Sequence, residues 1–201
     1  MAIVTKATRG AVGTNNWTNP ANATSDNGVY AICDPAKKGS VVGDWDFAAF
    51  SDAELPVGAT INSVVIRANY KVSTQASIAE LGIENGNNGA YDAQETDISE
   101  PLADADFDTT YNTAPSETDL KTAGRLVARI SGIRGNSNTA VTVSLDYVEL
   151  RVDYSVGSAS ASPSLSPSAS PSPSASPSAS PSASPSASPS AQATPPATRN
   201  A

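Results

Sequence analysis

Three aspartates alternate at Asp104, Asp106 and Asp108, and four aromatics, Trp17, Trp45, Tyr91 and Tyr111, keep polar company. These are the residues best suited to chemistry. Alternating carboxylates can converge on Ca²⁺, which takes six to eight oxygen ligands. The helix–loop–helix version of such a site fails here: Thr109 stands where glycine should turn the loop, and Pro115 where a glutamate should close it. A solvated acidic loop is the plainer reading, and Asp44-Trp45-Asp46 poses the same question more weakly. The aromatics suggest stacking on sugar rings. Trp17 lies among Asn15, Asn16 and Asn19, and Tyr91 lies near Asn88 and Asp92, so hydroxyl-binding groups are at hand. Trp17, Asn19 and Tyr91 are the candidate carbohydrate contacts, although aromatics near strand ends also plug cores.

Catalytic constellations are scarce. The chain has no histidine, which removes Ser-His-Asp and Cys-His arrangements and imidazole metal ligands. GxGxxG, GxxxxGK[ST] and CxxC patterns are missing as well. Paired carboxylates remain able to hydrolyse glycosides, but none of the 20 Asp and Glu residues has a distinctive setting. The expectation is a non-enzyme with no cofactor. Cys33, the single cysteine, follows the strand-like Tyr30-Ala31-Ile32 and reads as a small buried residue.

The elements that must hold these residues are strands. Val64, Ile66, Ala68, Tyr70 and Val72 alternate with polar or half-polar neighbours over 60–72, a two-residue period that gives one core face and one wet face. Pro56-Val57-Gly58-Ala59 supplies the turn before it. Ala79, Leu81 and Ile83 form a second run ending at the loop signal Asn85-Gly86-Asn87-Asn88-Gly89. Leu126, Ala128 and Ile130 form a third, ending at Gly132 to Asn138. In the last run Val141, Val143, Leu145 and Tyr147 hold one phase, whereas Val148, Leu150, Val152 and Tyr154 hold the other. That change predicts a β-bulge near Asp146 to Val148. Further strands are expected over 3–8, 29–33 and 41–50. Ser116-Glu117-Thr118-Asp119 before Leu120 predicts one capped helical turn. About nine strands with almost no helix argue for an all-β fold, an antiparallel β-sandwich of jelly-roll type spanning 1–154.

Residues 155–201 are a different material. From Ser158 the chain cycles through Ser-Pro-Ser-Ala, with prolines at 173, 177, 181, 185 and 189. Little there can be buried, and proline excludes a continuous helix or a central strand. An extended low-complexity arm is expected, on the order of 100 Å long for some 35 residues in polyproline II. Setting Arg199 aside, the body holds 11 Lys and Arg against 20 Asp and Glu, a net charge of −9. That balance opposes binding to nucleic acid or an anionic membrane. Lys37-Lys38 is its one basic doublet. The start resembles no signal peptide and no apolar run is long enough to span a bilayer, so synthesis in a cytoplasm is expected. The sequons at Asn16 and Asn22 matter only in a secretory pathway.

Three stretches carry a resemblance. Trp17 to Ala23 followed by Asp26 to Ala31, then Leu55 to Ile61, then Asp146 to Tyr154, together resemble small β-sandwich modules of tailed-phage virion proteins, of the capsid-decoration, head-fibre or tail-appendage type. The resemblance covers roughly residues 15–154 and consists of strand and turn signals, so it transfers no functional residue. It implies a bacteriophage structural protein displayed on the virion surface, with other virion proteins as partners. A homo-oligomer, a trimer for example, is expected to gain strength by avidity, and a host glycan is a further expected partner. The alternative is a carbohydrate-binding module or adhesin on a flexible linker.

Overall fold

The computed structural model describes residues 1–13, 15–75 and 79–157. Ten strands occur among them: β1 (Ala2–Val12), β2 (Ala31–Cys33), β3 (Gly39–Phe47), β4 (Thr60–Val72), β5 (Ala79–Asn87), β6 (Ala90–Tyr91), β7 (Glu95–Asp97), β8 (Ala105–Thr110), β9 (Leu126–Arg134) and β10 (Val143–Ser155). A 3₁₀ turn, Pro20–Ala23, and one helical turn, α1 (Glu117–Leu120), complete the regular structure. Every strand pairing is antiparallel. The expected arm lies, from residue 158, outside the described residues.

The strands follow the order β6-β5-β9-β3-β1-β10-β4-β8, with β2 against β10 and β7 against β5. The chain is an all-β, jelly-roll-like sandwich, and β1 makes the two layers continuous. Its first half, Ala2–Ala7, pairs with β10, and its second half pairs with β3. The change of partner coincides with a register shift between Thr8 and Gly10. Gly10 sits there at φ 141°, a conformation open to glycine and few others. The bulge twists β1 out of one layer and into the other.

The alternating runs put their apolar residues inside. Val64, Ile66, Ala68, Tyr70 and Val72 of β4 are buried, as are Leu81 and Ile83 of β5 and Leu126, Ala128 and Ile130 of β9. The expected bulge is present: β10 slips against β4 between Leu145 and Tyr147. Leu145 and Val148 can therefore both face the core. The inserted residue, Asp146, is buried, and its Oδ1 accepts the backbone N–H of Gly28 at 3.0 Å and of Asn27 at 3.4 Å. Burial pushes its carboxyl pKa up, those two bonds oppose the rise, and Asp26 adds to it. The bulge thus ties the 25–28 loop to the closing strand. α1 forms as expected, with a reciprocal cap between Ser116 and Asp119.

Three expectations need correction. The Asn85–Gly89 string is not all loop: β5 continues through Asn87, because glycine and asparagine there serve packing. β9 likewise runs past Gly132 to Arg134; a side chain at Gly132 would meet Cys33 Sγ at 2.3 Å. The acidic segment is not all loop: Asp106 and Asp108 lie in strand β8, with Phe107 packed against the core between them, and Asp104 just precedes it. Cys33 is buried as expected, and burial, aided by Asp34, raises its thiol pKa.

Candidate functional site

The four aromatics of the sequence separate into two pairs. Trp17 and Trp45 are 3 % and 0 % exposed and meet edge to face, 5.7 Å between ring centres. Trp45 Nε1 donates to the Pro20 carbonyl at 3.0 Å. This pair closes the core, so Trp17 is corrected from a sugar-stacking candidate to a packing residue. Asn19 is exposed at φ 52°, at the entry to the 3₁₀ turn, where its carbonyl accepts from Asn22. The structure does not bring Asn19 together with Tyr91.

Tyr91 and Tyr111 do share a site. They line a cleft of about 330 Å³ with Asn85, Asn87, Asp92 and Asp119. The local sequence builds it in steps. Asn88 and Gly89, both left-handed at φ 53° and 80°, make the two-residue turn between β5 and β6, the pairing that a right-twisted hairpin favours. That turn returns Tyr91 opposite Gly86. A side chain at Gly86 would meet Tyr91 Cε1 at 2.6 Å and the Val127 carbonyl at 2.9 Å, so bare backbone seats the ring. The Arg129 guanidinium stacks 4.0 Å from the ring centre. Asp44 holds that guanidinium from the other side, at 2.9 and 3.2 Å, and Glu84 lies 3.8 Å away. Burial, with Asp44 adding, raises the Tyr91 hydroxyl pKa. Tyr91 is held in one pose before any ligand arrives.

The floor and far wall are polar. Tyr111 is 6 % exposed and donates its hydroxyl to the Gly86 carbonyl at 3.1 Å. Asn85 accepts from the Thr109 hydroxyl at 2.7 Å. Asp92 accepts the Asn112 N–H at 2.8 Å. Asp119 accepts from Ser116, from Arg125 at 2.9 Å and from Asn87 Nδ2 at 3.3 Å. Burial alone would raise the Asp119 pKa, but the Ser116 and Asn87 bonds and the Arg125 charge outweigh it and leave the carboxyl below its ordinary value. It is a fixed acceptor, unsuited to giving a proton at neutral pH. Asn87 Oδ1 is enclosed and without a hydrogen-bond partner. A buried carbonyl in that state costs free energy.

The Asp104, Asp106 and Asp108 carboxylates are not turned toward one point. Asp106 and Asp108 project along the outer face of β8 and share Arg67, whereas Asp104 has other partners. Asp108 accepts two bonds from Arg67, at 2.7 and 2.8 Å. Asp106 lies 3.0 Å from Arg67 and accepts from Asn69 and Tyr147. Asp104 accepts from Tyr30 and faces Lys71 at 3.5 Å. No group of three metal-ligating side chains that could hold an ion occurs among the described residues. Of the three sugar-contact candidates only Tyr91 reaches the cleft. Asn85, Asn87 and Asp119 were not expected there, since their sequence signals were those of a loop and a helix cap.

The chain matches no protein-family model and no curated protein. Among solved structures, it is similar to a CBM4 structure at 16% identity, covering 75% of this chain and 94% of that one, with a TM-score of 0.41. The xylan-binding module CBM15 is similar at 16% identity, 75% and 95% coverage and a TM-score of 0.38. A family 16 carbohydrate-binding module gives 9%, 67% and 89%, with a TM-score of 0.37. Likeness at this level transfers neither a ligand nor a residue to this chain.

Proposed function

We propose that the body is a saccharide-binding module without catalytic turnover, and that the Tyr91–Tyr111 cleft is its binding site. One observation carries the reading: a pre-set, half-buried tyrosine shares a cleft with the amides of Asn85 and Asn87 and the carboxylates of Asp92 and Asp119. A sugar presents an apolar ring face to an aromatic and hydroxyl donors to an amide or carboxylate, and the cleft offers both surfaces side by side. Fixed geometry favours binding, because the Tyr91 ring has little freedom left to lose. The virion-display expectation is compatible with this reading, since an appendage that grips a host glycan would satisfy both.

The test is affinity electrophoresis of the full chain through gels containing a panel of polysaccharides. At least one polysaccharide is expected to retard the protein, and Tyr91→Ala to abolish the retardation while the thermal melt stays in place. If no polysaccharide retards the protein, or Tyr91→Ala migrates as the parent does, the reading fails.

A further inference from the structure

Among the described residues, three bases, Lys37, Lys38 and Arg134, lie within 4.0 Å of no carboxylate, and they gather at one corner of the body. Of its 11 Lys and Arg residues, eight lie within 4.0 Å of an Asp or Glu: Lys6, Arg9, Arg67, Lys71, Lys121, Arg125, Arg129 and Arg151. Lys37, Lys38 and Arg134 do not. In a body with 20 acidic residues, a base with no nearby acid is unusual, and three such bases together form a local positive field. Lys37 reaches only the Asn138 amide oxygen, at 2.7 Å. Arg134 donates to the carbonyls of Pro35 at 3.5 Å and Ser137 at 2.9 Å, and its enclosed Nε has no partner.

Two of these bases, Lys38 and Arg134, border a pocket of about 310 Å³ whose lining also includes Ser40, Gln94 and Ser131. Its construction is specific. Lys38 is set at φ 57°, and its N–H is fixed to the Gly135 carbonyl at 3.0 Å. Gln94 lies across β5 where Gly82 has no side chain; a Cβ there would meet Gln94 Nε2 at 1.7 Å. Glycine inside a strand weakens it, and here the vacancy lets an amide lie over the sheet beside two serines. Glu80, opposite Ile133 across the ladder, forms no ion pair with Lys38 or Arg134.

We propose that this pocket binds an oxyanion carried on a sugar ring, either a carboxylate or a sulfate. Lys38 and Arg134 take the charge, and Ser40, Ser131 and Gln94 take the ring hydroxyls. A guanidinium and an ammonium offer several donors to such a group, whereas a neutral sugar would leave both charges unanswered. The charged half of the proposal stands on the corner alone; the sugar half rests on the saccharide-binding reading above.

The experiment is isothermal titration of the full chain with glucuronate, glucose 6-sulfate, glucose and inorganic sulfate. One or both charged sugars are expected to bind about tenfold or more tightly than glucose, the size of one charge-assisted hydrogen bond. Lys38→Asn removes the charge and suits the left-handed backbone, so it should fold and lose that preference. Arg134→Gln should do the same. Unchanged preference in Lys38→Asn, or glucose bound as well as the charged sugars, overturns the site. Inorganic sulfate bound as tightly as the charged sugars overturns the sugar half. Retention of a neutral polysaccharide through Tyr91, with no binding of charged sugars, defeats this inference and leaves the cleft reading standing. The reverse pattern defeats the cleft reading and leaves this one.

Discussion

The outer face of β4, β8 and β10 and the strand ends of β3, β5 and β9 are both polar, and they use polarity differently. On the first, Arg67 engages Asp106 and Asp108, Arg151 approaches Asp108 at 3.5 Å, and Glu149 lies 4.0 Å from both arginines. Lys71 stacks on Tyr30 and faces Asp104. These charges answer one another within the protein, although Asn69 Oδ1 beside them is enclosed without a partner. On the second, Asn87 Oδ1 and Arg134 Nε are enclosed without partners, and Lys38 faces no acid. Side chains satisfied by their own neighbours hold a fold in place, and those left unsatisfied in a concave setting are where a ligand can add something. Counting charges or aromatics does not separate the two; what does is a cleft or pocket beside the polar groups.

The comparison can be broken most directly through the tryptophan–tyrosine contrast. Trp17→Ala is expected to cost about 3–5 kcal/mol, the usual loss for a buried large aromatic, read as a fall in denaturation midpoint. A stable Trp17→Ala protein would place Trp17 outside the core. Tyr91→Ala should do the opposite, lowering glycan affinity about tenfold or more while moving stability by under roughly 1 kcal/mol. An equal loss of stability in both variants would erase the distinction between packing and binding aromatics.

Weaker effects sharpen the contrast on the ladder itself. Arg67→Met should destabilise by roughly 1 kcal/mol or less, because the network is solvent-screened, with the loss shrinking in high salt and glycan binding untouched. Acid titration should show the two signs present in the ladder. The Arg67 hydrogen bond, followed by the nearby cations, holds Asp108 below its ordinary value of 3.8. Its contribution is therefore present above about that pH and fades as acid protonates the folded protein. Burial, partly offset by Arg67 and Arg151, raises Glu149 above its ordinary 4.5, so the parent loses stability as pH rises through the raised value and Glu149→Gln should become more stable relative to it. A Glu149→Gln difference that is flat from pH 3 to 8 would contradict the burial of that carboxyl.

Periodicity made the strands legible because it records which face meets water. Val64 to Val72 could be read as one strand, and the phase change at Tyr147-Val148 located the bulge before any geometry was known. The Ser116–Asp119 cap was legible for a similar reason, being a contact between residues three apart. Glycine misled the reading in β5 and β9. Gly86 and Gly132 look like loop residues in a sequence, yet each makes room for a group distant in the chain or across a turn, Tyr91 and Cys33. Asp104 to Asp108 misled it too, since three alternating acids look solvated until Arg67 and Lys71 on the neighbouring strand are seen to answer them.

Residue order by itself determined the all-β body, its acidic charge and the change of material near 155, because those follow from local pattern and composition. Which aromatic is core and which lines a cleft, which carboxylates find cations, and which three bases find none were decided only in three dimensions. Those outcomes depend on cross-strand register and on β1 passing between layers, which join residues dozens of positions apart.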